Sequence, residues 1–414
     1  MEKLYSVEKN VQYLIALMKA HSIKNIVLSP GTTNFTFVGS VQQDPYFNLI
    51  SCVDERSAAY MACGIAAATK EPVAISCTGA TASRNYMPAL TEAYYRKLPV
   101  LAITATRNLA QIGQNLDQVI DRRSLPNDIA RKSVYLPLPG SRDDEWGNQV
   151  KINDALLELR RNGGGPVHIN LTTEYNQDFS AKQLPDVRII RRISYADELP
   201  DITAKRVAVF VGAHLVWDSA LTEAVDAFCE KYNGVVICDQ ISNYTGKYGV
   251  YGDIIQQQKN ASCPSADLLV HLGGISQSVP GKSAVAWRVN PDGEVRDTFR
   301  NLQYVFEMDE TFFFRAYCKK KQEKGSLEFY QTYYDLYCTT LDKLSRKAED
   351  LPFSNIWMAY KTYSRLPDNC SVYLGILNSL RAWNYFETSK TVRGYSNTGG
   401  YGIDGGVSSA IGAS

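Results

Sequence analysis

The stretch PVAISCTGATASRNYMPALTEAYYRKLPVLAITATR, residues 72–107, decides the fold. Two short aliphatic runs, PVAIS and VLAITA, flank the longer helical pattern NYMPALTEAYYRK. Neither run alternates apolar with polar residues, so each reads as a strand buried on both faces. Buried strands alternating with helices predict a parallel sheet with helices on both sides. The alternation extends outward. NIVLS, NLISCVD and PVHINL read as further strands buried on both faces, and SAAYMACGIAAATK as a helix.

This first unit is predicted over residues 1–185. A polar connector with Pro185 and SYADELPD follows. A second alternation, VAVFVGA, GVVICDQ, LLVHLGG, VAWRVN and YVFEMD, predicts a central α/β domain over residues 200–345. A Tyr- and Lys-rich helical stretch at about 320–365 leads out of it. The segment SVYLGILNS opens a third unit, 353–414, with room for two strands and the start of a helix. That is too short for an independent α/β domain. The predicted fold class is α/β, built of repeated open parallel-sheet domains.

Composition narrows the function. In 414 residues, 44 Lys and Arg face 43 Asp and Glu, a net charge of +1. Such a balance gives no support to nucleic-acid or polybasic membrane binding. No run nears ~20 apolar residues, and MEKLYSVEKN lacks the shape of a signal peptide. The expected setting is cytoplasmic, with neither nucleic acid nor membrane as partner. Nine scattered cysteines, among them Cys52, Cys77 and Cys238, form no CxxC pair and read as reduced, buried thiols. The four histidines, His21, His168, His214 and His271, lack metal or triad spacing and read as structural.

Three strand ends carry the chemistry-bearing residues. In VDERSAAYMACGIAAATK, residues 53–70, a strand is expected to end at Val53 and a helix to start at Asp54 and Glu55. Acids there serve as caps or dipole partners, or act on a ligand at the sheet's carboxyl edge. Thr78-Gly79-Ala80-Thr81 forms a strand-to-helix turn that suits close approach of a polar ligand, with the helix expected near Ser83 or Arg84. The third is SPGTTN, residues 29–34, a tight turn. No GxxxxGK[ST] occurs, and no complete GxGxxG follows a strand. Gly212, Gly273 and Gly274 in the central unit read as plain turns, with a relic nucleotide pocket as the alternative.

In that order, these segments resemble the thiamine-diphosphate-dependent 2-oxoacid decarboxylase and carboligase superfamily. Within it they are similar to the 2-succinyl-5-enolpyruvyl-6-hydroxy-3-cyclohexene-1-carboxylate synthases of menaquinone biosynthesis. Those enzymes carry SPGSRS, a GNS strand end and SNRGASGIDG, where this chain has SPGTTN, LGILNSL (374–380) and SNTGGYGIDG (396–405). The resemblance implies thiamine diphosphate and Mg2+ as cofactors. It assigns Glu55 the hydrogen bond to N1′ of the aminopyrimidine, which promotes loss of the thiazolium C2 proton. Ylid attack on a 2-oxoacid, loss of CO2 and transfer to an acceptor would follow. By the same resemblance Thr78, Gly79, Asn378 and Ser379 bind cofactor. The carbonyl of Tyr401 accepts from the 4′-amine, and Ile403 wedges the bent cofactor. Thr32, Thr33, Arg107, Gln118 and Thr398 line the substrate pocket, Arg107 reading otherwise as a surface or interface arginine. A homodimer or homotetramer is implied.

Departures from the pattern bear on the substrate. Thr33 and Thr398 stand where the synthases carry arginine, and Trp383 occupies a third arginine position, with Arg381 out of register. Threonine cannot form the bidentate fork that arginine offers a carboxylate. The acceptor is therefore expected not to be isochorismate. The family's metal motif, GDG, is absent; Pro291-Asp292-Gly293 and Ile403-Asp404-Gly405 are partial look-alikes. The expectation is a C-terminally truncated chain, inactive alone, with metal ligands beyond residue 414 and none to name here. A simple non-oxidative 2-oxoacid decarboxylase and a non-catalytic partial subunit that needs a partner chain remain as alternatives.

Overall fold

The chain divides into two units, Met1–Arg191 and Arg192–Ser414, each built around its own sheet. The structure is a computed structural model that describes residues 4–215, 217–256, 263–321 and 325–414. Residues 1–3 of the N-terminal stretch, 216 and 257–262 of the central domain, and 322–324 of the Tyr- and Lys-rich stretch lie outside the described residues.

In chain order the first unit contains α1 (Lys9–Ala20), β1 (Asn25–Leu28), α2 (Phe35–Gln42), β2 (Asn48–Ser51), α3 (Glu55–Thr69) and β3 (Val73–Cys77). Then come α4 (Ala80–Asn85), α5 (Met87–Tyr95), β4 (Val100–Thr106), β5 (Lys132–Leu136), α6 (Arg142–Glu158) and β6 (Val167–Thr172). The strands form one parallel sheet in the order β2-β1-β3-β4-β6-β5. The central strands β3, β4 and β6 are buried throughout, as unbroken apolar runs require. One face is covered by α1, α2 and α6 through Leu14, Phe37 and Leu156. On the other, Ala58, Ala62 and Ala66 recur every fourth residue and bring α3 close to the sheet beside Ala89 of α5.

Three expectations are corrected here. The run NLISCVD is an edge strand, with Asn48, Ile50 and Ser51 exposed. Apolar content marks a strand but not its place in the sheet. The strand stops at Ser51, short of Val53, which is 88% exposed. The helix expected near Ser83 or Arg84 begins at Ala80, because Gly79 already turns the chain as its cap.

The second unit begins with β7 (Arg191–Ser194), β8 (Val207–Val211), α7 (Ser219–Tyr232), β9 (Gly234–Cys238), β10 (Gly249–Tyr251), α8 (Gly252–Gln256) and β11 (Ala266–Leu272). It continues with β12 (Ser283–Val289), β13 (Leu302–Glu307), α9 (Glu310–Lys319), α10 (Glu328–Ala348) and α11 (Asn355–Thr362). The sheet order is β10-β9-β8-β11-β12-β13-β7. Phe228, Phe313, Phe314 and Tyr317 pack on one face, and Phe329, Tyr333 and Tyr337 of α10 on the other.

Past α11 the chain forms β14 (Ser371–Tyr373), α12 (Asn378–Trp383), β15 (Arg393–Tyr395) and α13 (Gly406–Ala413), with β14 and β15 paired in parallel. Side-chain amides tie this part to the second sheet. Asn243 exchanges two hydrogen bonds of 2.9 Å with Gly394, and Asn384 donates to Asp253 at 2.6 Å.

Candidate active site

In the first sheet the chain leaves β1 toward β2 on one side and returns to β3 on the other. Open parallel sheets bind ligands at such a reversal, outside the strand carboxyl ends. The loops after β1 and β3 meet there. A Cβ on Gly31 would lie 2.1 Å from Thr78 Cγ2, so a larger residue there would have to turn the Thr78 side chain aside. Asn34 organises its own turn, accepting from Gly31 N at 2.8 Å and donating to Ser29 O and Ser76 Oγ at 3.2 Å. Thr33 is 1% exposed. Its hydroxyl accepts from Gly79 N at 3.0 Å, and its carbonyl accepts from Thr173 Oγ1 at 2.6 Å. Thr32, beside it, is exposed.

The two adjacent acids divide their work. Asp54 caps α3, accepting from Ser57 N at 2.7 Å, and these bonds from Ser57 hold its carboxyl below the usual range. Glu55 is the first residue of the helix and half-buried. Its Oε2 accepts from Asn85 Nδ2 at 3.1 Å. Asn85 ends α4 and was missed in the sequence; its nearest signal is the NYMPAL segment it opens. Cys77, at the end of β3, is pushed up to about 12 by burial and is no nucleophile.

The loop after β4 closes over this edge. The Gln118 side chain is exposed, but its carbonyl lies 3.3 Å from the position of a Cβ on Gly79. Arg107 donates to both Asp117 oxygens, at 3.0 and 3.2 Å, and lies 5.1 Å over the Tyr175 ring. A carboxylate ligand would compete with Asp117 for this cation.

In the second unit, Asn378 and Ser379 open α12 and are exposed. Leu377 before them holds φ +65 and ψ −117, and Tyr401 holds φ +53, both left-handed for non-glycine residues. One side chain links the two. Gln277, with its amide oxygen turned toward them, accepts from Leu377 N at 2.6 Å and Tyr401 Oη at 2.8 Å, and its amide nitrogen donates to Leu377 O at 3.1 Å. Gln277 also went unnoticed in the sequence, which gives no local signal for it. A Cβ on Gly399, Gly400 or Gly402 would meet nothing within 4 Å, and Ile403 is 75% exposed. Asn397 ties the loop ends, donating to Asp404 O at 3.3 Å and accepting from Ser409 Oγ at 3.1 Å. Thr398 is turned inward, 9% exposed.

At the second sheet's own strand reversal, between β8 and β11, backbone fills the crevice. A Cβ on Gly212 would lie 2.0 Å from Gly274 O, and Gly274 N donates to Ala213 O at 2.7 Å. These glycines bring the two main-chain turns into direct contact.

Among the described residues no cluster of three His, Cys, Asp or Glu could hold a metal. Asp292, in the look-alike PDG, pairs with Arg296 at 2.7 Å. All four histidines have partners. His21 bonds Asn153, His168 bonds Thr104 and Ser133, His214 bonds Glu310, and His271 packs on Phe299. No described helix is long and apolar enough to cross a membrane.

Residues 9–125 match the family model of the thiamine pyrophosphate enzyme N-terminal binding domain. The chain is 29% identical over 443 residues to a 2-succinyl-5-enolpyruvyl-6-hydroxy-3-cyclohexene-1-carboxylate synthase of Bacteroides thetaiotaomicron, covering 99% of this chain and 76% of that protein. It is 30% identical to the synthases of that name from Bacteroides fragilis, over 432 residues, and Phocaeicola vulgatus, over 443, with the same coverage. With such identity running through both units, the chain belongs to the thiamine pyrophosphate enzyme family, alongside these synthases.

Proposed function

We propose that this chain is a thiamine-diphosphate-dependent carboligase or decarboxylase that cleaves CO2 from a 2-oxoacid and passes the remaining fragment to an acceptor other than isochorismate. The observation that carries the reading is Glu55. It sits at the sheet reversal as the first residue of α3, with Asp54 doing the capping and Asn85 fixing one carboxylate oxygen. Its Oε1 has no hydrogen bond among the described residues and suits a ring nitrogen that shares a proton.

The residues fit the cofactor at a second place. The open glycines 399, 400 and 402 leave the main chain accessible beside Tyr401, and Ile403 presents an apolar side chain. When bound, thiamine diphosphate supplies a carbon nucleophile and an electron sink for decarboxylation. Glu55 would hold the proton at N1′, and the Tyr401 carbonyl would accept from the 4′-amine. Ile403 would enforce the bent shape. Thr78 and Gly79 would lie against the pyrimidine, and Asn378 and Ser379 would bind at the opposite end. Mg2+ would accompany the diphosphate, through ligands not named in this chain. Thr32, Arg107 and Gln118 would line the substrate pocket. The proposed setting is cytoplasmic and the proposed assembly a homodimer or homotetramer.

Thr33 supports an altered acceptor. Its hydroxyl is committed to Gly79 N inside the protein, and Thr398 is likewise turned inward, so neither presents a charge to a carboxylate.

The test is a screen of 2-oxoacids for CO2 release by the full-length enzyme with thiamine diphosphate and Mg2+, with and without aldehyde or enone acceptors. Glu55→Gln should lower turnover by about 10²–10⁴-fold, the usual loss on removing a positioned acid–base group. Unchanged turnover in that variant would remove the central claim. Efficient synthesis from 2-oxoglutarate plus isochorismate would overturn the acceptor assignment alone.

A further inference from the structure

Arg122 lies in the loop after β4 and is 4% exposed. Its Nη2 donates to Ala105 O and to Asn170 Oδ1, each at 2.8 Å. Its Nε and Nη1 have no hydrogen-bond partner among the described residues. A guanidinium stays charged inside a protein, and a buried charge without a counter-charge is among the costliest arrangements in a fold.

Among the described residues no carboxylate acts on it. The Arg84 guanidinium is close enough to act on Arg122 and carries the same sign. The Cys77 thiol is pushed up to about 12 by burial and stays neutral. His168 is held down at about 3 by burial and is also neutral. Arg288 in β12 provides a contrast. It too is 6% exposed, with Nε and Nη1 unpartnered and Nη2 on a carbonyl, that of Gly273. The Glu310 and Asp292 carboxylates act on Arg288, whereas no carboxylate acts on Arg122.

Arg122 lines a cavity of about 10 Å³ together with Ser83, Arg84, Thr104, His168 and Leu125. That volume holds a single small group, a water or a monatomic ion. A space this small favours a monatomic anion over a phosphate or a larger organic acid. Water would meet the geometry but not the charge.

We propose that this cavity is a monovalent-anion site that takes a halide such as chloride, held by the unpartnered nitrogens of Arg122 beside Arg84. The site adjoins the loop after β3, where a Cβ on Gly79 would lie 3.6 Å from Arg122 Nη2, but it needs no cofactor.

The experiment is thermal unfolding of the whole chain in sodium chloride, bromide or gluconate at matched ionic strength, with 35Cl linewidths measured in parallel. At 100 mM, halide should raise the melting temperature by about 2–3 °C over gluconate, as expected for a ligand present at several times its dissociation constant. The 35Cl line should broaden, and bromide should narrow it again by competition. Arg122→Gln should abolish the halide increment while Arg288→Gln keeps it. Equal melting temperatures in halide and gluconate with an unbroadened chloride line would overturn the site and leave water alone in the cavity. So would an increment that survives in Arg122→Gln. If Arg122→Gln does not fold, the wild-type melting and linewidth data decide between the two outcomes.

Discussion

Acid should destabilise the first unit through His168, by an amount that the structure sets. The imidazole bridges β4 and β5 from β6. Its Nε2 bonds Thr104 Oγ1 at 2.7 Å and its Nδ1 bonds Ser133 Oγ at 2.8 Å. The ring is buried, and the Arg122 charge lies close by; burial first and that charge second hold its pKa at about 3, from an ordinary 6.5. Above pH 6.5 neither the folded nor the unfolded chain protonates this residue. As pH falls through 6.5 the unfolded chain gains a proton that the folded chain refuses, so stability falls until pH reaches the folded value. The slope is about 1.4 kcal/mol per pH unit, which gives a loss of about 2.7 kcal/mol between pH 7.5 and 4.5.

The assay compares urea unfolding of wild type and His168→Gln across that range. Glutamine keeps one donor and one acceptor for the two hydroxyls but cannot titrate. Its constant penalty cancels when the difference between the two proteins is plotted against pH, as do the other titrating groups. The difference should drift by about 2.7 kcal/mol in favour of the variant as pH drops. A flat difference between pH 7.5 and 4.5 would refute the reasoning. It would mean that the folded imidazole accepts its proton near the ordinary value.

Gly212→Ala should cost the second unit about 2–4 kcal/mol, because its Cβ would meet Gly274 O at 2.0 Å and main chain cannot step aside; wild-type urea stability would count against the closed crevice. Gln277→Ala should free Leu377 and Tyr401 from their shared clamp and speed amide exchange about tenfold in residues 375–380 and 398–402, read by mass spectrometry. Exchange unchanged in both segments would show that neither depends on Gln277.

The alternation of the first unit was legible because buried parallel strands need unbroken aliphatic runs, and PVAIS and VLAITA supply them. The short strands KSVYL, RRIS and GVY were not legible. Each is three to five residues long and only partly buried, so polar residues interrupt the signal. The place of Glu55 at the start of a helix followed from acids preceding an alanine-rich run. Its partner Asn85 lies 30 residues away and meets it only through the fold. The same holds for Gln277, whose value comes from two left-handed residues some 100 and 124 positions further on. Local pattern reveals elements and caps; it does not reveal side chains that act across elements.

Thr33 illustrates how a substitution read as a loss becomes part of the fold. Considered as sequence, it is an arginine position without its charge. In the structure its hydroxyl joins the loop after β1 to the loop after β3, and its carbonyl takes up Thr173 from the strand end beyond. A side chain buried to this degree cannot also reach into a solvent-filled pocket. A guanidinium at the same position would have to leave that hydrogen bond unmade and find another exit, because Gly79 N would lose its acceptor. The residue therefore couples two properties usually treated apart: the charge offered to a substrate, and the rigidity of the sheet edge where Glu55 waits. On the proposed reading, a changed acceptor and a strand reversal joined by the Thr33–Gly79 bond are two consequences of one hydroxyl.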